Sequence, residues 1–265
     1  MTQSASGSNS PSWVAVDVGN SQVKLGLFDE HVHVGSLPQP TRSLTLNSAH
    51  WETVEILEWL GPRQPAALDW RIASVRENIA VRLESQLQNE GAPFRRITYQ
   101  HLSLPIDLPQ PDQVGIDRLL AAVAADRLRP TDQPAIVIDL GTAITIDVVS
   151  VAGTFSGGAI LPGIRTSALA LSQQAEQLPE VDLDNQIPQA IGTTTNEAIL
   201  SGLYWGAVGA IREVVEQICD QVPAEPFVVL TGGSADMIAK SLGRKVHMEP
   251  HLVLSGMALM ESNLE

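Results

Sequence analysis

The sequence predicts a mixed α/β protein made of two similar halves with a cleft between them. Runs rich in Val and Ile alternate with longer stretches of helical period. An apolar strand, an Asp-apolar-Gly turn and a second strand occur twice, at residues 14–29 and 136–149. Because the same motif recurs at the start of two equivalent strand pairs, we expect a duplicated domain. The predicted limits are a disordered tail over 1–12 and domains over 13–130 and 131–265.

The first half opens with three closely spaced strands that predict an antiparallel meander, in WVAVDVG, QVKLGLFD and HVHVGSL. A helix is predicted in HWETVEILEWLG, a strand in WRIASV, and an amphipathic helix in ENIAVRLESQLQNEG that ends at Gly91. The proline-rich stretch PIDLPQPDQ is a predicted linker. It leads to a helix in VGIDRLLAAVAADRLR, with Leu119 and Leu120 on its buried side.

The second half repeats this beginning. A second meander starts at Ile136, and a long helical region follows from about residue 164 to residue 219. A buried strand in FVVLTGG and helices in SADMIAKSLG and LVLSGMALMESN complete the chain. The two halves are therefore expected to begin with the same strand pair.

Composition excludes several classes of function. The 265 residues include 16 basic and 30 acidic side chains, which give a formal charge of −14. This charge repels phosphodiester backbones, and the sequence has no Lys/Arg run to offset it, so we expect no nucleic-acid partner. No stretch approaches the roughly 20 apolar residues of a membrane span. The single cysteine, Cys219, cannot form an internal disulfide and fits the cytoplasm. The six histidines show no metal-ligand spacing.

The two repeated turns have the chemistry of phosphate sites. Gly19 and Gly141 let the backbone approach a ligand closely, and turn amides can then bind an anion. Asp17 and Asp139 cannot contact phosphate directly, but each can hold a cation that phosphate shares. The alternative is that both aspartates only cap tight turns. Small or hydroxyl residues that leave room for phosphate oxygens follow the glycines: Asn20, Ser21, Thr142 and Ala143.

Six stretches occur in a distinctive order: DVGNSQVKLGLFD, VGIDRLLAAVAA, VIDLGTAITIDVV, GTFSGGAILPGI, IGTTTNEAILSG and TGGSA. Together they resemble the type III pantothenate kinases, which belong to the acetate kinase, sugar kinase, Hsp70 and actin superfamily. The resemblance covers nearly the whole chain after residue 12. It implies two ribonuclease-H-like domains of the actin-like ATPase kind with a nucleotide cleft. It also implies ATP-dependent phosphorylation of pantothenate to 4'-phosphopantothenate, the first step of coenzyme A biosynthesis, by a homodimer.

In the first half the resemblance implies a phosphate loop and a substrate motif. Lys24 would direct its charge at the phosphates, although it could also be a solvated charge. Asp17 would lie near Mg²⁺, directly or through water, as part of an ATP-binding loop made of Asp17, Val18, Gly19, Asn20, Ser21, Gln22, Val23 and Lys24. The residues that would bind pantothenate here are Gly115, Ile116, Asp117 and Arg118.

Within that motif, Asp117 would be the general base and Arg118 would bind the substrate carboxylate. The start of a helix is a sensible place for this carboxylate, because the helix dipole, the free amides and Arg118 all favour its ionised form. We therefore expect Asp117 to be ionised. The alternative is an ordinary helix N-terminal carboxylate beside a surface arginine.

In the second half the resemblance makes Asp139 a ligand of K⁺ or NH₄⁺, Thr142 an ATP contact and Thr195 a pantothenate contact. Asp147 has no assigned role. The chain has Leu108 where the family commonly has a tyrosine that lines the pantothenate pocket. A glycine-rich turn near the nucleotide would contain Gly157, Gly158, Pro162 and Gly163; the alternative is that these residues only allow tight packing between strand and helix. The nucleotide base could lie at Gly232 and Gly233, for which a plain strand-to-helix turn is the alternative.

Other functions remain open, namely a non-kinase regulator, another small-molecule kinase of the superfamily, or a nucleotide-driven chaperone or filament. A regulator is expected to lose the base and loop residues that this chain keeps, and a chaperone needs large inserted subdomains. A row of small residues gives a separate reason to expect a dimer, since it forms a flat helix face that a second helix can approach closely. The alternative is that this face packs inside the monomer. The row contains Gly202, Gly206, Gly209 and Ala210.

Overall fold

A computed structural model describes residues 12–29, 33–34, 37–182 and 186–260, so the predicted tail lies outside the described residues apart from Ser12. The chain divides into two compact units. The first contains Met1–Leu102, Gly115–Leu120 and Val253–Glu265, and the second contains Ser103–Val114 and Ala121–Leu252. Neither unit is a single continuous segment. The predicted domain limits at 13–130 and 131–265 remain a prediction.

The first unit contains one five-stranded sheet. Its strand order is β5-β2-β1-β6-β7, in which β5, β2 and β1 are antiparallel neighbours while β6 and β7 run parallel to β1. The elements are β1 (Trp13–Val18), β2 (Gln22–Phe28), the separate pair β3 (His33–Val34) and β4 (Leu37–Pro38), β5 (Arg42–Asn47), α1 (Thr53–Leu60), β6 (Asp69–Ser74), α2 (Glu77–Asn89) and β7 (Phe94–Arg96). The next helix, α3 (Ile116–Leu128), begins in this unit and continues in the second.

The second unit contains a sheet of the same design. Its order is β10-β9-β8-β11-β12, with the first three strands antiparallel and the last two parallel to β8. The elements are β8 (Ala135–Leu140), β9 (Ala143–Val149), β10 (Phe155–Pro162), α4 (Ile164–Gln174), α5 (Thr195–Cys219), β11 (Phe227–Thr231), α6 (Ala235–Ala239) and β12 (His247–Met248). The last helix, α7 (Leu252–Ala258), lies almost wholly in the first unit.

Strand register confirms the duplication that the sequence indicates. Asp17 of β1 lies opposite Ala73 of β6, and Asp139 of β8 lies opposite Thr231 of β11. The strands β1, β2, β5, β6 and β7 therefore correspond to β8, β9, β10, β11 and β12. Each repeated Asp-apolar-Gly motif lies at the carboxyl end of a central strand.

Each unit buries its own apolar core. In the first, strand side chains such as Val16 and Ile72 pack with Leu60 of α1 and Leu83 of α2. In the second, the strands of the sheet pack against α5 and α6. At about 25 cal/mol per Å² of buried apolar surface, such clusters supply most of the free energy that stabilises each unit.

Helix α5 requires a correction of the composition argument. It is long and apolar enough, by length and composition, to cross a membrane, so the expectation that no stretch approaches this limit was wrong. Its buried side chains, including Tyr204, Val208 and Ile211, contact the core of the second unit, and the Tyr204 hydroxyl donates to the Met237 carbonyl at 3.0 Å. One face of α5 therefore packs on the core of the second unit.

Several element predictions were also wrong. The third strand of the first sheet is Arg42–Asn47; of the predicted strand at 31–37, only residues 33–34 and 37 are described, and they belong to the separate pair β3–β4. The segment 42–47 was not predicted as a strand because it is mostly polar and exposed. The predicted glycine-rich turn is the strand Phe155–Pro162 followed by Gly163, which precedes α4. The long helical region is two helices, since the described residues between Gln174 and Thr195 are not helical.

Candidate functional site

The first loop of the candidate site joins β1 to β2. Its Gly19 N–H donates to the Gln22 carbonyl at 2.9 Å, which closes a tight turn. Beside it, the Val75 N–H donates to the Val18 carbonyl at 3.0 Å and ties the loop to the end of the parallel strand β6. The carboxyl ends of adjacent parallel strands are the usual ligand-binding edge of an open α/β sheet. The loop therefore lies where a phosphate site is expected.

Two charged side chains of this loop lie side by side on the sheet. Asp17 and Lys24 are cross-strand partners, Asp17 is 6% exposed, and Lys24 is half-buried. Lys24 also lies close enough to Asp117 for its charge to lower the pKa of that carboxyl. Lys24 is thus half-buried with acidic neighbours, and its role at the phosphates remains a prediction.

Asp117 is the second residue of α3, and its carboxylate folds back over the start of that helix. Its Oδ1 accepts the backbone N–H of Arg118 at 2.8 Å. A Cβ atom at Gly115 would lie 2.5 Å from this Oδ1 and 3.6 Å from Val75 Cγ1, so a side chain at Gly115 would displace the carboxylate. The motif needs glycine here because Asp117 occupies the space.

The pKa of Asp117 is raised above its ordinary value of 3.8, chiefly because burial removes water from the carboxylate. The backbone N–H and the charge of Arg118, the N–H of Asp117 itself and the charge of Lys24 lower it, in the direction expected at a helix N-terminus. Burial outweighs these local effects, and the ionised state expected of Asp117 remains a prediction. A carboxylate with a raised pKa is a stronger base, which suits proton abstraction from a hydroxyl.

The corresponding aspartate of the second unit is Asp139. Its side chain is half-buried and lies across the sheet from Thr145 of β9 and Thr231 of β11. A Cβ atom at Gly232 would lie 2.5 Å from Asp139 Oδ1, and Gly232 has φ +95°, which favours glycine. Gly232 is thus explained by its contact with Asp139, and a role at a nucleotide base remains a prediction.

Thr142, the residue after the second turn, is fixed through its backbone. Its carbonyl accepts the N–H of Gly163 at 2.9 Å and the hydroxyl of Thr166 at 2.6 Å. A Cβ atom at Gly163 would collide with the carbonyl of Gly141. The sequence analysis missed Thr166, although a threonine in the first turn of a helix after a glycine is a signal for such a contact.

Asp147 lies on the same face of the sheet as Asp139, in the register of β8 and β9. It is 1% exposed, and a Cβ atom at its neighbour Gly158 would lie 2.7 Å from its Oδ1. Gly158 is therefore needed for close packing between the neighbouring strands β9 and β10. The structure assigns no catalytic role to Asp147.

The two remaining substrate candidates lie in the second unit. Leu108 is half-buried, and a Cβ atom at Gly157 would lie 3.3 Å from its Cδ2. Thr195 is the first residue of α5, and its hydroxyl has no hydrogen-bond partner in the described part of the chain. The turn before it is well fixed, because the Glu197 carboxylate accepts the N–H groups of Thr193 and Thr194 at 2.7 and 3.2 Å.

Comparisons with known proteins give matches over nearly the whole chain. The sequence model of the family described as Type III pantothenate kinase matches residues 13–217. The chain is 31% identical over 255 residues to the Type III pantothenate kinase of Persephonella marina, with 92% of this chain and 95% of that protein covered. It is 34% identical over 257 residues to the Type III pantothenate kinase of Anaeromyxobacter sp. (strain K), covering 93% and 97%.

The chain also resembles a solved structure, at a sequence identity so low that the match supports the fold alone. The ethanolamine utilization protein EutJ from Carboxydothermus hydrogenoformans superposes with a TM-score of 0.51 at 15% identity, over 95% of this chain and 90% of that chain. With the two repeated sheets, it confirms the predicted fold of two ribonuclease-H-like domains of the actin-like ATPase kind. Sequence identity over nearly the full length shows more than the fold, and the chain belongs to the type III pantothenate kinase family.

Proposed function

We infer that Asp117 is the general base in the reaction of this kinase, the ATP-dependent phosphorylation of pantothenate in coenzyme A biosynthesis. The buried carboxylate with its raised pKa, held at the start of α3 near Lys24, is the observation that supports this role. Asp117 accepts the proton of the pantothenate hydroxyl as its oxygen bonds to the γ-phosphorus. The bond from that phosphorus to the bridging oxygen breaks, and ADP leaves.

The loop from Asp17 to Lys24 is the proposed phosphate site of the first unit, and Thr142 is a proposed ATP contact of the second. Small residues and a glycine turn admit phosphate oxygens, and the Lys24 ammonium neutralises part of their charge. Phosphoryl transfer depends mainly on such positioning and charge neutralisation. The family resemblance and the geometry of each loop support the assignment.

Two cations complete the proposal, Mg²⁺ near Asp17 and K⁺ or NH₄⁺ at Asp139. Carboxylate oxygens are ligands that Mg²⁺ prefers, and the negative charge of a carboxylate also attracts K⁺ or NH₄⁺, so the side chains fit the ions. The described residues contain no group of three or more His, Cys, Asp or Glu side chains placed to hold a metal. Water, backbone carbonyls or phosphate oxygens would therefore supply the remaining ligands of a cation here, which is usual for Mg²⁺ at nucleotide sites.

For pantothenate itself we propose contacts from Gly115, Ile116, Arg118 and Thr195, with the Arg118 guanidinium on the substrate carboxylate. Thr195 supports this because its exposed hydroxyl stands at a helix start fixed by Glu197. Leu108, where the family commonly has tyrosine, supplies an apolar surface without a hydroxyl. We expect Leu108 to lower the affinity for pantothenate relative to a tyrosine at this position, without changing the reaction.

A homodimer in the cytoplasm is the proposed working form. Gly202, Gly206 and Gly209 are exposed on α5, and a Cβ atom at each would meet open space, so this face is not used for packing within the described chain. A glycine face lets a second helix approach closely. The single cysteine and the acidic charge support a cytoplasmic enzyme of small substrates, with neither nucleic acid nor membrane as a partner.

One experiment tests the function directly. Purified chain is incubated with ATP, Mg²⁺ and a panel of small hydroxyl acceptors, and phosphorylated product is identified by mass. We expect a mass gain of one phosphate on pantothenate and ADP release that depends on pantothenate. ADP release at the same rate without any acceptor would instead indicate an ATPase, and product from another acceptor alone would indicate a different small-molecule kinase.

A further inference from the structure

The carbonyl of Asn20, in the middle of the first loop, accepts two side-chain donors from distant parts of the first unit. Ser48 Oγ donates to it at 2.8 Å and Arg76 Nη1 at 3.1 Å. The Ser48 N–H also donates to the next carbonyl, that of Ser21, at 3.0 Å. Because a peptide group is planar, fixing the Asn20 carbonyl also fixes the Ser21 N–H, which points away from these donors.

The second unit has the same arrangement without a charge. Thr142 corresponds to Asn20, and its carbonyl also accepts two donors, the Gly163 N–H and the Thr166 hydroxyl. Counting from the aligned pairs Asp17–Ala73 and Asp139–Thr231, the position of Arg76 is occupied in the second unit by Ser234. The fold therefore forms this turn without an arginine, and the guanidinium needs another explanation.

The charge of Arg76 is not neutralised by an acidic partner within the described residues. It forms no salt bridge there, and the adjacent Glu77 pairs with Arg96 at 2.5 Å instead. Of the guanidinium N–H groups, which point in fixed directions, one is used by the Asn20 carbonyl. A half-buried cation with unused donors beside a phosphate loop is unusual in a chain of net charge −14.

We propose that Arg76 is a second cation of the phosphate loop, which holds the Asn20 peptide and donates a charged N–H to a phosphate oxygen of ATP. This inference rests on the proposed function of the loop. Lys24 reaches the loop from β2, and Arg76 reaches it from the end of β6, so the two charges come from different strands. Charge-assisted hydrogen bonds to phosphate are about twice as strong as neutral ones.

The test compares Arg76→Gln and Arg76→Lys with Arg82→Gln in the full chain. Arg82 is a matched control, because it lies in α2, the helix that Arg76 immediately precedes, and it also donates to a backbone carbonyl, that of Trp51. Calorimetric titrations with ATP, ADP, AMP and adenosine measure affinity, and thermal unfolding checks the fold. For Arg76→Gln we expect ATP to bind about 10-fold more weakly, as for one lost hydrogen bond to a charged group.

Adenosine affinity should be unchanged in Arg76→Gln, and the loss should shrink from ATP to AMP. Arg76→Lys should recover part of the ATP affinity, since lysine keeps the positive charge but lacks the planar guanidinium with its fixed N–H donors. Equal losses for adenosine and ATP, or the same losses in Arg82→Gln, would mean a structural role and overturn the proposal. If the wild-type chain phosphorylates pantothenate and Arg76→Gln binds ATP normally, only this inference fails. If the wild-type chain binds no ATP, the proposed function itself fails.

Discussion

Replacing Asp117 with asparagine separates the chemistry of this carboxylate from its structural contacts. Asparagine has nearly the same shape, and its Oδ1 can still accept the Arg118 N–H that Asp117 accepts at 2.8 Å. The amide cannot take the hydroxyl proton. Loss of a general base typically costs about 10²- to 10⁴-fold in rate, which corresponds to roughly 2.7 to 5.4 kcal/mol of transition-state stabilisation.

The assay is ADP release coupled to a chromogenic reaction at saturating ATP and pantothenate, with ATP affinity measured separately by calorimetry. We expect kcat to fall by the stated factor while the Kd for ATP stays within about twofold, because Asp117 lies outside the phosphate loop. Asp112→Asn, at an exposed acid just before the same motif, is the control and should keep full activity. A kcat near the wild-type value in Asp117→Asn would refute the base assignment.

The pKa shift gives this prediction a pH dependence. Because the pKa of Asp117 is raised by burial, the acidic limb of kcat/KM should lie above 3.8, and this limb should be absent from the residual activity of Asp117→Asn. The same shift affects stability with a definite sign. The native state binds the proton more tightly than the unfolded state, so wild-type stability falls as pH rises through the raised pKa. Asp117→Asn should therefore unfold at a higher temperature than wild type near neutral pH, and the difference should vanish below the ordinary Asp range.

Three further changes test the remaining proposals. Asp139→Asn should remove most activity and the preference for K⁺ over Na⁺, whereas equal wild-type rates in both salts would argue against a monovalent-cation site. Gly232→Ala should lower the unfolding free energy by about 1 to 3 kcal/mol, measured by urea titration, because φ +95° and the nearby carboxylate exclude a side chain. Co-expression of inactive Asp117→Asn and Thr195→Val chains should restore roughly a quarter of wild-type activity if dimers share their pockets; an inactive mixture refutes the sharing.

Central strands could be predicted from sequence because their own residues determine them. Val and Ile runs such as 14–18 and 136–140 are buried on both faces and leave little choice of structure. The edge strands at 42–47 and 155–162 are polar or rich in glycine, and they become strands only because β2 and β9 supply a hydrogen-bonding edge. That information lies in the partner strand and not in the segment itself.

The candidate site shows the same division between local and distant information. The short motifs indicated Asp17, Gly115 and Asp117 because those contacts lie within a turn or a helix start. Ser48 and Arg76 were not found, since they reach Asn20 from 28 and 56 residues away. The motif also gave no sign that the pKa of Asp117 is raised, because burial depends on tertiary packing.

Comparison of the two loops explains why one of them should need an added cation. Lys24 lies opposite Asp17 in the first sheet, and at the corresponding position Thr145 lies opposite Asp139 in the second. The first loop thus has an ammonium group beside its carboxylate, and the second has a hydroxyl. If phosphates approach Asp139, the missing positive charge must come from solution, which is the physical reason to expect dependence on K⁺ or NH₄⁺.

Thr145→Lys should then supply that charge from the protein. Thr145 is half-buried on β9 and is the cross-strand partner of Asp139, so a lysine can extend along the sheet toward that carboxylate. We expect the ratio of kcat/KM in K⁺ to that in tetramethylammonium, at equal ionic strength, to fall at least about 10-fold relative to wild type. Thr145→Met, of similar length but uncharged, should keep the wild-type ratio. An active Thr145→Lys chain that still requires K⁺ would show that the cation has a coordinating role that a fixed ammonium cannot replace, and the charge-balance explanation would be wrong.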